Sequence, residues 1–137
     1  MPKRTTVVSD AAYRVAIVTL DGHLAGAAEA AFGTLKRELP GLTVGLHCAG
    51  EWADDPASLE RCHEDIAAAD IVVACMLFMD DHIQAVLPAL KARRDGCDAM
   101  VCFMCEGEVI RLTRIGQFRM DGTASGPLAM LKRLRGA

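Results

Sequence analysis

Asp80-Asp81-His82 follows nine consecutive apolar residues, Ile71 to Met79, and a second acid–imidazole pair, Asp21-Gly22-His23, follows the apolar run that ends at Leu20. Carboxylates offer hard oxygen ligands to a cation such as Mg2+. Neutral imidazoles suit transition metals or the central metal of a tetrapyrrole. Glu51, Asp54, Asp55, Glu106 and Glu108 follow the other apolar runs. The candidate ligand-contacting set is Asp21, His23, Asp80, Asp81, His82 and Glu108; no residue is assigned as a catalyst and no metal is assigned. A structural reading competes with each. Asp80 and Asp81 also suit the first turn of a helix, where acids complement its dipole, and a histidine at such a turn often serves to fix a loop.

Other chemistries are disfavoured. A nucleotide or flavin phosphate site wants a Gly-rich turn and few carboxylates, and neither GxGxxG nor GxxxxGK[ST] occurs. A phospho-receiver domain needs an acidic pair after its first strand and a lysine after a fifth, and neither is present. Cys102-Phe103-Met104-Cys105 is a lone CxxC, without the second pair of a zinc site. A helix opening at Cys105 would lower its thiol pKa, but the reading favoured for both cysteines is that of buried or incidental thiols. Cys48, Cys75 and Cys102 fall in expected strands, where cysteine acts as a small buried hydrophobe. His47 and His63 have no evident partners in sequence.

The elements that position these residues alternate. Expected strands cover Tyr13–Leu20, Leu42–Cys48, Ile71–Met79 and Ala99–Met104. Between them run helical patterns. Leu24, Ala28, Ala31, Phe32, Leu35 and Leu39 share one face before Pro40-Gly41. Leu59, Cys62 and Ile66 share another, over residues 57–69, opened by Pro56. Ile83, Val86, Leu87 and Leu90 mark a third, closed by basic residues and Gly96. A fourth helix is expected from Gly107 to Ile115. Such alternation implies a parallel sheet with right-handed crossovers. The expected fold class is α/β, three-layered, with a four-stranded parallel sheet in the flavodoxin-like order 2-1-3-4. The Asp21 and Asp80 turns would then meet at the switch point, where ligands bind in open α/β sheets. Residues 1–12 are expected to form a flexible arm, 13–119 the domain, and 120–137 a Gly-rich linker with a short basic helix, Leu128–Arg135.

At 137 residues the chain is long enough for one well-packed domain. A net charge of −3 argues against a nucleic-acid partner. No apolar run reaches the ~20 residues of a membrane span, and the N-terminus lacks the apolar core of a secretory signal. Six cysteines without a disulfide framework point to a reducing cytoplasm.

These residues resemble the N-terminal domain of the large H subunit of magnesium chelatases, most closely the bacteriochlorophyll-type branch, with the cobaltochelatase large subunit as a relation. The segments that carry the resemblance are Val18-Thr19-Leu20-Asp21-Gly22-His23-Leu24-Ala25-Gly26, Ala69-Asp70-Ile71-Val72, and Met76-Leu77-Phe78-Met79-Asp80-Asp81-His82-Ile83. Val86-Leu87-Pro88-Ala89-Leu90, Arg93-Arg94-Asp95, Cys97-Asp98-Ala99-Met100 and the run from Gly107 to Gly116 extend it along the chain. Cys105-Glu106 departs from it where Ser-Ala is expected. The resemblance implies a fragment, itself non-catalytic, of the component that carries protoporphyrin IX while an AAA+ motor and an adaptor subunit drive Mg2+ insertion with ATP. It implies the remainder of the H subunit as a partner and porphyrin binding or docking as the fragment's role. A second, local resemblance is to the DxHxxG motif of cobalamin-binding domains, carried by Asp21, His23 and Gly26. It would make His23 an axial cobalt ligand oriented by Asp21.

Overall fold

The computed structural model describes residues 12–120. Residues 1–11 and 121–137, which hold most of the expected arm and the expected linker and basic helix, lie outside the described residues. The described chain is an α/β unit: β1 (Tyr13–Thr19), α1 (Ala25–Glu38), β2 (Leu42–Cys48), α2 (Pro56–Ala68), β3 (Ile71–Cys75), α3 (Asp80–Arg93), β4 (Ala99–Phe103), α4 (Gly107–Ile110), β5 (Arg114–Ile115) and β6 (Phe118–Arg119). Neighbouring strands run β2-β1-β3-β4-β5-β6. The first four are parallel and the last two antiparallel.

The purely parallel, four-stranded sheet expected from the sequence is therefore corrected to a mixed sheet of six. The fourth helix stops at Ile110 rather than Ile115. The Thr113 hydroxyl accepts the Cys102 N–H at 2.9 Å and donates to the Cys102 carbonyl at 3.0 Å. That double bond to β4 draws the chain into the sheet. Gly116, at φ 59°, then turns it back in a two-residue hairpin, where positive φ is required at a central position.

The third strand is also shorter than its apolar run. Pairing ends at Cys75, and Met76 adopts the left-handed region at φ 60°. The run reads as one strand because nothing in its composition marks that turn.

Alternation along β1 divides the core in two. Ala16 and Val18 face α2 and α3, where Ile66, Val72, Val86, Leu90 and Met100 are wholly buried. Each such side chain contributes about 1.5–3 kcal/mol of apolar burial. Val15 and Ile17 face α1, which buries none of its own residues. Its expected inner stripe is half open, with Leu24, Leu35 and Leu39 all exposed. Between α1 and the sheet lies an apolar cavity of about 300 Å³ bordered by Val15, Ile17, Phe32, Leu35, Val44 and Ile71. No charged residue lines it, so it lacks the convergent polar groups that orient a ligand.

The arginines at the end of α3 do more than complement its dipole. Arg93 Nε donates to the Ala69 carbonyl and Arg94 Nε to that of Leu112, each at 3.0 Å. Arg114 Nε donates to the Arg94 carbonyl at 3.0 Å and its Nη2 to that of Cys97. These bonds fasten the hairpin and the β3 entry to the helix end.

Candidate functional site

Parallel strands deliver the ends of β1, β3 and β4 to one edge of the sheet, and the helices that follow open there. Asp21 caps a short turn at Gly22–Leu24: its carboxylate accepts the His23 N–H at 3.0 Å and lies 3.1 Å from His23 Nδ1. The pair is local and largely solvated, with the His23 side chain 83% exposed. Asp80 and Asp81 stand exposed in the first turn of α3, and Glu108 in that of α4.

His82 turns inward instead. Its ring meets Trp52 edge-on, with centroids 6.1 Å apart. His82 Nδ1, the Trp52 indole N–H and the Thr19 hydroxyl are buried with no hydrogen-bond partner among the described residues. The two histidines thus take different neighbours, although β1 and β3 are adjacent. Among the described residues no three His, Cys, Asp or Glu side chains are arranged to hold a metal ion.

The loops after β3 and β4, whose residues Met76 to Met79 and Met104 are expected in strands from the sequence, are stitched together. The Met76 N–H donates to the Met104 carbonyl at 2.9 Å, and the Glu106 N–H to that of Leu77 at 3.1 Å. Between them, the Leu77 N–H donates to Cys105 Sγ at 3.4 Å. Cys105 is buried, and α4 starts two residues later, at Gly107. Its thiol pKa is raised rather than lowered, chiefly by burial, with the Leu77 and Met76 N–H groups opposing that effect. Of the two readings the sequence left for Cys105, a thiol activated at a helix start is set aside on that ground, and Cys105 is a buried thiol. Cys102 is pushed up to about 12, mainly by burial and next by Cys105. Cys62 also reaches about 12, by burial and then the nearby Asp65 carboxylate. All six cysteines are free.

Met76 and Met104 both have positive φ, at 60° and 51°. That region is costly for side chains other than Gly, Asn or Asp, by about 1–3 kcal/mol. It serves here to turn Leu77 and Cys105 inward at the ends of neighbouring strands. Only a tertiary contact reveals it, since methionine carries no signal for such a turn.

The other histidines do have partners. His47 Nε2 lies 2.7 Å from Asp65 Oδ2, and His63 Nε2 lies 2.6 Å from the Ala85 carbonyl, joining α2 to α3. Both contacts are partly buried and belong to the scaffold.

Comparison with known proteins agrees with the principal resemblance. The chain is 47% identical over 125 residues to the magnesium-chelatase H subunit of Cereibacter sphaeroides, a match covering 91% of this chain. It is 44% identical over 90% of its length to the corresponding H subunit of Rhodobacter capsulatus. The chloroplastic magnesium-chelatase ChlH subunit of Oryza sativa subsp. indica is 27% identical over 86% of the chain. The chain spans about a tenth of the length of these relatives. None of these matches supports the cobalamin reading of Asp21 and His23. Residues 14–137 match a family described as a domain of unknown function, DUF3479, and the chain belongs to that family.

Proposed function

We propose that this chain serves as the N-terminal domain of an H-type magnesium-chelatase subunit. The observation that carries this reading is the 47% identity across 91% of the chain to a named magnesium-chelatase H subunit. In the parent enzyme that component would hold protoporphyrin IX while AAA+ and adaptor partners spend ATP to insert Mg2+, in bacteriochlorophyll or chlorophyll synthesis. The domain itself supports that reaction without performing it. Its sheet-edge residues Asp21, His23, Asp80, Asp81, His82 and Glu108 contact porphyrin or neighbouring parts of the assembly. The β2-β1-β3-β4 portion supports reading the core as a flavodoxin-like unit extended at one edge. A cytoplasmic setting is in keeping with six free cysteines, and no described helix is long and apolar enough to cross a membrane.

The test uses the full-length H-type subunit that contains this region, reconstituted with its motor and adaptor subunits. Neutralising Asp21, Asp80, Asp81 and Glu108 together is expected to lower Mg-porphyrin formation by weakening porphyrin affinity or assembly. Unchanged rate and affinity would overturn the role of this edge. Titrating protoporphyrin against the 137-residue chain, followed by Soret absorbance and Trp52 emission, separates the two roles. A saturable change assigns porphyrin contact, and none assigns docking.

A further inference from the structure

We infer that the loops closing β3 and β4 form a preformed docking surface for a basic amphipathic helix of a partner polypeptide. Four large apolar side chains are exposed at these loops and at the last residue of β4: Phe78 is 49% exposed, Met79 54%, Phe103 45% and Met104 61%. The strand ends that carry them are paired, Cys75 with Phe103 and the Met76 N–H with the Met104 carbonyl, and exposed apolar residues gathered in this way mark interaction sites. Methionine and phenylalanine together suit adaptable contact with a helix face.

The backbone beneath is built to hold them. Leu77 and Cys105 anchor the loops in the core, and the Met76–Met104 and Leu77–Glu106 bonds tie one loop to the other. The surface is therefore already in place, which spares a partner the entropy of ordering it.

Local stability would choose different residues at three of these positions. Met76 and Met104 occupy left-handed positions that favour glycine or asparagine. Met79 stands at the N-cap of α3 and makes no capping bond, where Ser, Asp or Asn would. Sequences that break local rules at one patch do so most often for function.

Charge decides the occupant. Asp80 and Asp81 border the patch on one side, and Glu106 and Glu108 on the other, all exposed. Arg111, beside Gly107, is a cation at this border. This ring repels anionic membranes and nucleic acid, and it complements lysine and arginine flanking an apolar helical stripe. The inference rests on reading this edge as a docking edge and not on the chemistry of the parent enzyme.

The probe is an amphipathic Leu/Lys peptide of about 15 residues, a length at which an isolated helix becomes tenable. Its control is the matching Leu/Glu peptide, and both are titrated into the 137-residue chain with Met methyl resonances observed. Saturable shifts at Met79 and Met104 are expected, with the Leu/Glu peptide at least about tenfold weaker. Phe78→Ser and Met104→Asn should each weaken binding by about tenfold or more. Asparagine tolerates positive φ, so the second variant keeps the loop. Leu35→Ser, on the α1 face, should leave affinity unchanged. Equal affinity for both peptides, no saturable shift at Met79 and Met104, or indifference to Phe78→Ser and Met104→Asn would overturn the inference. If chelatase reconstitution shows no dependence on this region while peptide binding persists, the functional reading falls and the docking surface stands.

Discussion

His47 on β2 and Asp65 on α2 lie 2.7 Å apart under the sheet, each side chain about 15% exposed, and Gly45 leaves room for the carboxylate between them. Arg14 Nε approaches the second Asp65 oxygen at 3.7 Å. A Cβ at Gly45 would overlap Asp65 Oδ2 and press against His47 Nε2. A glycine inside a strand, ordinarily a weakness, is here the condition for a polar contact between helix and sheet.

Gly45→Ala is expected to destabilise the domain by about 1–3 kcal/mol, the cost of displacing one partner of a part-buried hydrogen bond. Urea unfolding measures it. In an Asp65→Ala background the same change should cost almost nothing, because the overlapping atom is gone. Equal cost in both backgrounds would show that the overlap is not the cause.

Stability should fall steeply above pH 9. Cys62 and Cys102 ionise near 12 in the folded chain, against an ordinary value of 9.0. Both states hold the proton below pH 9, so nothing is lost there. Between 9 and 12 the unfolded chain releases protons that the folded chain keeps, which favours unfolding by about 1.4 kcal/mol per pH unit for each thiol. Tyr13, raised by burial and then by its bond to Asp98, acts in the same direction. Urea midpoints taken from pH 7 to alkaline pH should show this slope, and Cys62→Ala with Cys102→Ala should flatten it. An unflattened slope would place the titration elsewhere.

Met79→Ser sets stability against docking. The N-cap backbone is extended, at φ −86° and ψ 132°, and has no side-chain bond. A serine there should stabilise α3 by about 0.5–1 kcal/mol, read as a higher melting temperature. The Leu/Lys peptide should bind more weakly to the same variant. A lower melting temperature would mean that Met79 packs usefully against the fold.

The helices facing the main core were legible because their evidence is local. Cys62 and Ile66, and Ile83, Val86, Leu87 and Leu90, recur at helical spacing and are buried. The α1 stripe has the same periodicity yet stays half exposed. Periodicity shows which face is apolar, and only packing shows what covers it. The β5–β6 hairpin escaped notice because two-residue strands are too short to show alternation. Its anchor, Thr113 on Cys102, joins residues whose pairing no local pattern encodes.

The candidate site divides in the same way. Asp21 with His23, and the acids opening α3 and α4, are set by short-range turn and helix-start chemistry, so the sequence alone placed them at one edge of a sheet. Its wording also pointed to the chelatase resemblance. Tertiary structure decided the rest: His82 turns to Trp52, Cys105 becomes a buried anchor, and Phe78, Met79, Phe103 and Met104 emerge together. The physical reason is the pair of left-handed turns at Met76 and Met104. Hydrogen bonds between neighbouring strand ends hold them, and those bonds exist only once β3 and β4 lie side by side.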